Sequence, residues 1–297
     1  MPDTVFHPLP KVGDRVQQVV MPLIMVEGNE VIPLGTGFTI TSDGLMVTAR
    51  HVIEEAEKRE RLRTGNRRIS DLRQDIFALY MIAHHADGRV CGGTLPVRKV
   101  WLSDEFDICY CLLSGVLLNN EPVRFPVVRL SPGLPRVGEN VIGFGYLKMA
   151  GTLEGTLENG QTQIKYKQDT AFTRGQITEV YPLRRNSLLP FPSFRTNARF
   201  DPGMSGGPVM NERGSVCGVI CNSLPADDEY PEHISNASLL YPALGTLLDV
   251  ASQPGSAAER MSVYDVIQKG HILTDDTIAD VSVQHRPDGG FSVSIKP

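Results

Sequence analysis

The chain has 297 residues, 41% of them apolar and 21% charged, with 28 Gly and 21 Pro that follow no period. This length supports two structural units with cores of their own, and the composition excludes a disordered or fibrous chain. Lys and Arg number 29 against 34 Asp and Glu, a net charge of −5, which argues against general affinity for the phosphate backbone of nucleic acid.

At the N-terminus, MPDTVFHPLPKVGDR interrupts its apolar positions with three prolines and several charges, so it lacks the continuous apolar region of an export signal. The apolar run at 19–26 is far short of the roughly 20 residues that cross a bilayer. The five cysteines, at 91, 109, 111, 217 and 221, are few and odd in number. The expectation is a soluble, cytoplasmic protein with reduced thiols and no membrane contact.

Short apolar segments separated by Gly, Pro, Asn and Asp lie at 16–26, 37–41, 45–48, 76–82, 107–113, 140–145, 176–181 and 216–221. They predict many short strands joined by turns, hence a sandwich or barrels. The exception is 54–74, EEAEKRERLRTGNRRISDLRQ, which pairs opposite charges at i, i+4 and has few apolar positions. It reads as a solvated helix or mobile insertion, with a basic partner-binding patch as the weaker reading. The stretch 146–174 has glycines at 151, 155 and 160 and no strong apolar pattern, and it reads as a loop that overhangs a cleft as a lid. In 258–270, Met261, Tyr264 and Ile267 fall at helical spacing before Gly270, and 281–295 alternates about an Arg-Pro-Asp-Gly-Gly turn. A helix and a hairpin packed on the main body are predicted there.

The segment richest in chemistry is Asp-Pro-Gly-Met-Ser-Gly-Gly-Pro at 201–208. A serine among turn-forming residues sits on a tight loop with its hydroxyl exposed, and Gly203 and Gly206 leave room for backbone N–H groups to approach a carbonyl. The N–H groups of Gly203 and Ser205 are the candidate oxyanion hole, because charge develops on a carbonyl oxygen in acyl transfer. In a second segment, Gly35-Thr-Gly-Phe through Thr48-Ala-Arg-His51-Val, His51 follows a strand end and can take a proton from Ser205. In a third, Asp107 stands directly before an apolar strand, where it can accept the Nδ1 hydrogen of His51. Asp104 competes for this role, although its distance from the apolar run suits a cap of the preceding turn better.

Together these segments resemble the trypsin/chymotrypsin-like serine peptidases, in particular the disulfide-free HtrA-type bacterial branch. The matching patterns are Gly-x-Gly-Phe, Thr-Ala-x-His, Asp-Ile and Pro-Gly-x-Ser-Gly-Gly-Pro, in the order His51, Asp107, Ser205. The resemblance implies an all-β fold of two six-stranded antiparallel β-barrels over 15–250, divided near 125/126, with 251–297 as a C-terminal extension packed on them. It implies a serine endopeptidase that works through an acyl-enzyme on a protein or peptide substrate, with no cofactor. It also places Arg199 at the base of the primary specificity pocket, where it favours an acidic residue before the scissile bond, unless that loop differs and Arg199 faces solvent. Cys221, Asn222 and Ser223 fall where the family pairs its backbone with substrate as an added strand.

The chain departs from the animal enzymes of the family. It lacks their disulfide framework and activation terminus, and Met204 precedes the nucleophile, so the enzyme is either always competent or ordered by an activating protein partner. A PDZ module does not fit in the 47 residues after 250. Neither the cysteine pairs nor His84, His85 and Cys91 have zinc-site spacing, so no metal is expected. The alternatives are a catalytically silent or partner-gated binding module on a protease fold, or a small-molecule esterase.

Overall fold

The computed structural model describes residues 7–8, 14–64, 76–84, 90–115, 117–118, 121–122, 124–156, 162–185, 189–224, 234–251, 258–286 and 290–296. The first half is built on strands β1 (Val20–Glu27), β2 (Glu30–Thr39), β3 (Leu45–Thr48), β4 (Ile76–His84), β5 (Val90–Trp101) and β6 (Cys109–Leu113). They pair antiparallel in the order β2-β1-β4-β5-β6-β3, and β3 returns to β2, which closes a six-stranded barrel without free edges. Met21, Leu23, Phe38, Met46 and Val97 are fully buried in its core. Each such side chain contributes roughly 1.5–3 kcal/mol on burial.

The second half repeats this plan with β7 (Asn140–Thr156), β8 (Thr162–Tyr181), β9 (Ser193–Thr196), β10 (Pro208–Asn211), β11 (Val216–Leu224) and β12 (Ile234–Leu239). Their order is β8-β9-β12-β11-β10-β7, and the β7–β8 pairing closes the ring. The fold is therefore all-β, with two six-stranded antiparallel barrels. The barrels are joined by a short β7–β2 ladder, Gly151 opposite Val31 and Thr152 opposite Glu30.

Three local expectations are corrected. The described residues of 146–174 are not a loop: they form the outer part of a long β7–β8 hairpin, paired from Asn140–Gln176 out to Thr156–Thr162, and none of these described residues lines the cavity that holds His51, while 157–161 lie outside the described residues. The hairpin's alternation runs between polar residues and Thr, Tyr, Ile and Phe, a strand pattern that a search for apolar runs passes over. Residues 14–19 are helical (α1, Asp14–Val19), so the first strand begins at Val20. Residues 258–262 form a strand that pairs residue by residue with Leu247–Ala251, tertiary pairing having overridden the helical spacing.

The charged segment begins as helix α2 (Arg50–Thr64), and its remainder at 65–74 lies outside the described residues. Helix α3 (Val263–Gln268) starts at Ser262, whose hydroxyl accepts from the Asp265 N–H while Asp265 accepts from the Ser262 N–H. The C-terminal hairpin, Val281–His285 with Phe291–Ile295, packs against the 3₁₀ turn Tyr241–Gly245, and its tip at 287–289 is outside the described residues. The chain leading into it is fastened to the second barrel by Leu130 N–H to Leu273 O, Asp275 N–H to Leu130 O and an Arg213–Asp276 ion pair.

Candidate active site

Register places the first two residues of the site. Thr48 at the end of β3 stands opposite Cys109 at the start of antiparallel β6, so the residues just beyond one and just before the other are neighbours. His51, in the first turn of α2, and Asp107, two residues before β6, meet there. The Asp107 carboxylate accepts from His51 Nδ1 at 2.9 and 3.1 Å and from the His51 backbone N–H at 3.0 Å. Asp107 is buried while the His51 side chain remains 42% exposed. Burial works to lower the His51 pKa, but the hydrogen bond it donates to Asp107, the Asp107 charge and that of Glu54 hold it above 6.5. Asp104 is exposed and pairs with Arg50 at 2.7 Å, and Arg50 also bonds Glu54 and the Ser103 carbonyl. Arg50 thus ties the helix that carries His51 to the turn that carries Asp107, a residue whose role the sequence reading missed.

Ser205 comes from the second barrel, on the loop between β9 and β10. Asp201 to Met204 form a tight turn closed by Met204 N–H to Asp201 O (3.0 Å), with Pro202 and then Gly203 at its centre. Gly203 has φ +100° and Gly206 φ +84°, the left-handed region a type II turn demands at Gly203. A side chain on Gly206 would run into the Thr36 carbonyl and the Thr48 hydroxyl. Among the described residues, neither the Gly203 N–H nor the Ser205 N–H donates a hydrogen bond within the chain. The Ser205 hydroxyl donates to the Cys221 carbonyl at 3.3 Å, and no hydrogen bond joins it to His51.

His51, Asp107 and Ser205 line one cavity of about 590 Å³, whose other walls include Phe191, Phe200 and Ile220 together with Cys221, Asn222 and Ser223. The last three lie on β11 beyond its final pairing with β10 at Val219; Asn222 and Ser223 pair with β12, Cys221 falls at a shift in that ladder, and on the side that β10 leaves uncovered the Cys221 carbonyl accepts from the Ser205 hydroxyl. The buried Cys221 thiol hydrogen-bonds Ser238 at 3.0 Å, and burial and the Asp107 carboxylate push its pKa well up.

Of the two placements left open for Arg199, the structure has the one at the loop surface. Arg199 does not line the cavity, its side chain is 46% exposed, and its Nε bonds Asp201 at 2.9 Å, because the acidic partner two residues on captures the guanidinium at the loop surface. Cys109 and Cys111 are buried small residues with their sulfurs 3.8 Å apart. The side chains of His84, His85 and Cys91 lie outside the described residues. Among the described residues no group of three or more His, Cys, Asp or Glu is arranged to hold a metal ion, and no helix is long and apolar enough to cross a membrane.

A probable periplasmic serine endoprotease, DegP-like, from Pseudomonas putida (strain GB-1) is 24% identical over 192 residues, which is 64% of this chain and 29% of the relative. The chain therefore spans less than a third of that relative's length. Among solved structures, the MamO protease domain of Magnetospirillum magneticum (14% identity, TM-score 0.45, 76% of this chain and 94% of that one) and Deg5 (16%, 0.44, 76% and 85%) are similar. The family model for the trypsin-like peptidase domain matches residues 35–219, more than half of the chain and a span that holds His51, Asp107 and Ser205. The chain belongs to the trypsin-like peptidase family.

Proposed function

We propose that the chain is a serine endopeptidase that cleaves peptide bonds through an acyl-enzyme, with Ser205 as nucleophile, His51 as general base and then acid, and Asp107 as its orienting partner. The observation that carries this reading is the His51–Asp107 bond at 2.9 Å in the cavity that Ser205 also lines. Because Asp107 accepts from Nδ1, the Nε2 lone pair of His51 is left to take the Ser205 proton. The Ser205 oxygen attacks the substrate carbonyl, and the N–H groups of Gly203 and Ser205 receive the oxyanion. His51 returns the proton to the leaving amine, and water then hydrolyses the ester by the same steps in reverse.

The edge at 221–223 that β10 leaves uncovered suits an extended peptide added as a strand, while Phe191, Phe200 and Ile220 give its side chains apolar walls. The same reading takes 15–250 as the peptidase unit and 251–297 as an extension packed on it. Four buried, unbridged cysteines favour a reducing cytoplasmic setting, which cell fractionation checks.

A partner-gated form of this enzyme has one observation in its favour: the Ser205 hydroxyl rests on the Cys221 carbonyl, so binding of substrate or a protein partner has to turn it toward His51. A fluorophosphonate probe is expected to label the chain, and Ser205→Ala to abolish labelling. Labelling that persists in the variant refutes the assignment. Casein turnover separates the peptidase from an esterase that turns over p-nitrophenyl acetate alone, and a rate that rises sigmoidally with casein marks gating.

A further inference from the structure

Thr36, on β2 of the first barrel, is fully buried, and all three of its polar groups are hydrogen-bonded, the N–H and the hydroxyl across the barrel junction. Its backbone N–H donates to the Ser205 carbonyl at 2.8 Å. Its hydroxyl donates to the Gly203 carbonyl at 2.7 Å and accepts from the Tyr146 N–H of β7 at 3.3 Å. Its own carbonyl accepts from the Thr48 hydroxyl at 2.7 Å, which anchors it to β3, three residues before His51. Gly203 and Ser205 are the two residues whose N–H groups are assigned to the oxyanion. Each therefore has its carbonyl held by Thr36.

This matters most at Gly203. With φ +100° and no side chain, Gly203 restrains its own torsions little, and a turn of the peptide that joins it to Pro202 redirects its N–H. A hydrogen bond to its carbonyl fixes the following peptide and with it the Cα from which the N–H-bearing peptide hangs, and Tyr146 in turn fixes the hydroxyl that makes that bond. Donors preorganised in this way need no rearrangement when charge develops, which is why their orientation weighs on the chemical step more than on substrate binding.

We infer that Thr36 is a positioning residue for the oxyanion hole: from the first barrel, its hydroxyl and N–H set the direction of the Gly203 and Ser205 N–H groups on the second. The inference rests on the peptidase reading above. It is tested with Thr36→Val, which keeps the shape and removes the hydroxyl, and Thr36→Ser, which keeps the hydroxyl and removes the methyl. Competent molecules are counted by saturating fluorophosphonate labelling, and kcat and KM are measured on p-nitrophenyl acetate.

Per labelled site, Thr36→Val is expected to lose about 10²-fold in kcat with KM within about twofold, and Thr36→Ser to stay within about twofold of wild type. A Val variant with wild-type kcat overturns the inference, and so does a Ser variant that falls as far as Val, because packing would then explain both. Should Thr36→Val not fold, as seen by circular dichroism, Thr36→Ala supplies the same comparison. A wild type that neither labels nor turns over substrate overturns the peptidase reading itself and this inference with it.

Discussion

The protonation of His51 is decided by its immediate neighbours. Burial opposes its charge, and the hydrogen bond and charge of Asp107, helped by Glu54, outweigh that opposition. Since a general base works only when neutral, kcat/KM is expected to rise with pH through a midpoint above 6.5. Asp107→Asn removes the charge and lets an amide N–H donate to Nδ1, which shifts the remaining ring proton to Nε2, so the midpoint should fall while kcat drops by about 10⁴-fold. An Asn variant with the wild-type midpoint would show that Asp107 does not set the charge on His51. Stability follows the opposite course. The raised pKa means that the protonated His51–Asp107 pair stabilises the fold fully below pH 6.5 and that this contribution is lost as pH rises through the folded-state value. Thermal melts of wild type and Asp107→Asn at about pH 5.5 and about pH 8.5 should therefore differ more at the lower pH.

Between the residues and the barrels stand the turn at 201–207 and strands β2 and β3 beneath it, which fit each other only because glycine occupies Gly206. Its φ is +84°, and a Cβ would collide with the Thr36 carbonyl and the Thr48 hydroxyl, both backed by strands that have no room to move. Gly214 has a similar φ, +73°, but opens onto empty space. Gly214→Ala is thus expected to cost about 1–2 kcal/mol, the left-handed strain alone, whereas Gly206→Ala should cost about 3 kcal/mol or more and lose probe labelling. Equal urea midpoints for the two variants would refute the steric contribution. Strain and collision separate at this scale because one belongs to the backbone torsion and the other to a neighbour that the sequence does not name.

At the scale of the molecule, the site exists only where the barrels meet: His51 and Asp107 belong to the first, Ser205 to the second. The C-terminal extension reinforces the second barrel. Val263, Ile272 and Val281 are buried, and Thr277 accepts from the Gly133 N–H at 3.1 Å while Arg213 holds Asp276. Removal of 258–297 strips the partner strand from Leu247–Ala251 and uncovers Leu244 and Leu248. The truncated chain is expected to melt lower by roughly 5 °C or more, read by circular dichroism. An unchanged melting midpoint would show that the extension adds no stability.

Much of this was legible in the sequence, because short strands need period-two patterns and turn residues, and acyl transfer by serine needs a histidine, a carboxylate and backbone donors near glycine. The segments around His51, Asp107 and Ser205 stood out through residue type and chain order, and the structure brings the three to one cavity, while the all-β fold followed from the spacing of the strands. The outer part of the β7–β8 hairpin, beyond the strands expected at 140–145 and 176–181, was missed since polar residues interrupt its apolar positions and ladder hydrogen bonds carry its pairing, and the strand at 258–262 since helical spacing there yields to pairing with 247–251. Arg199 stayed open between the pocket and the solvent because its proximity to Ser205 along the chain says nothing of Asp201 capturing it. Composition and motif thus determined what kinds of group the protein brings to its chemistry. Only the tertiary structure decided how they are aimed: Thr36 and Arg50 act through hydrogen bonds to residues 53 to 169 positions away, and no local pattern encodes a contact made by closing one barrel against another.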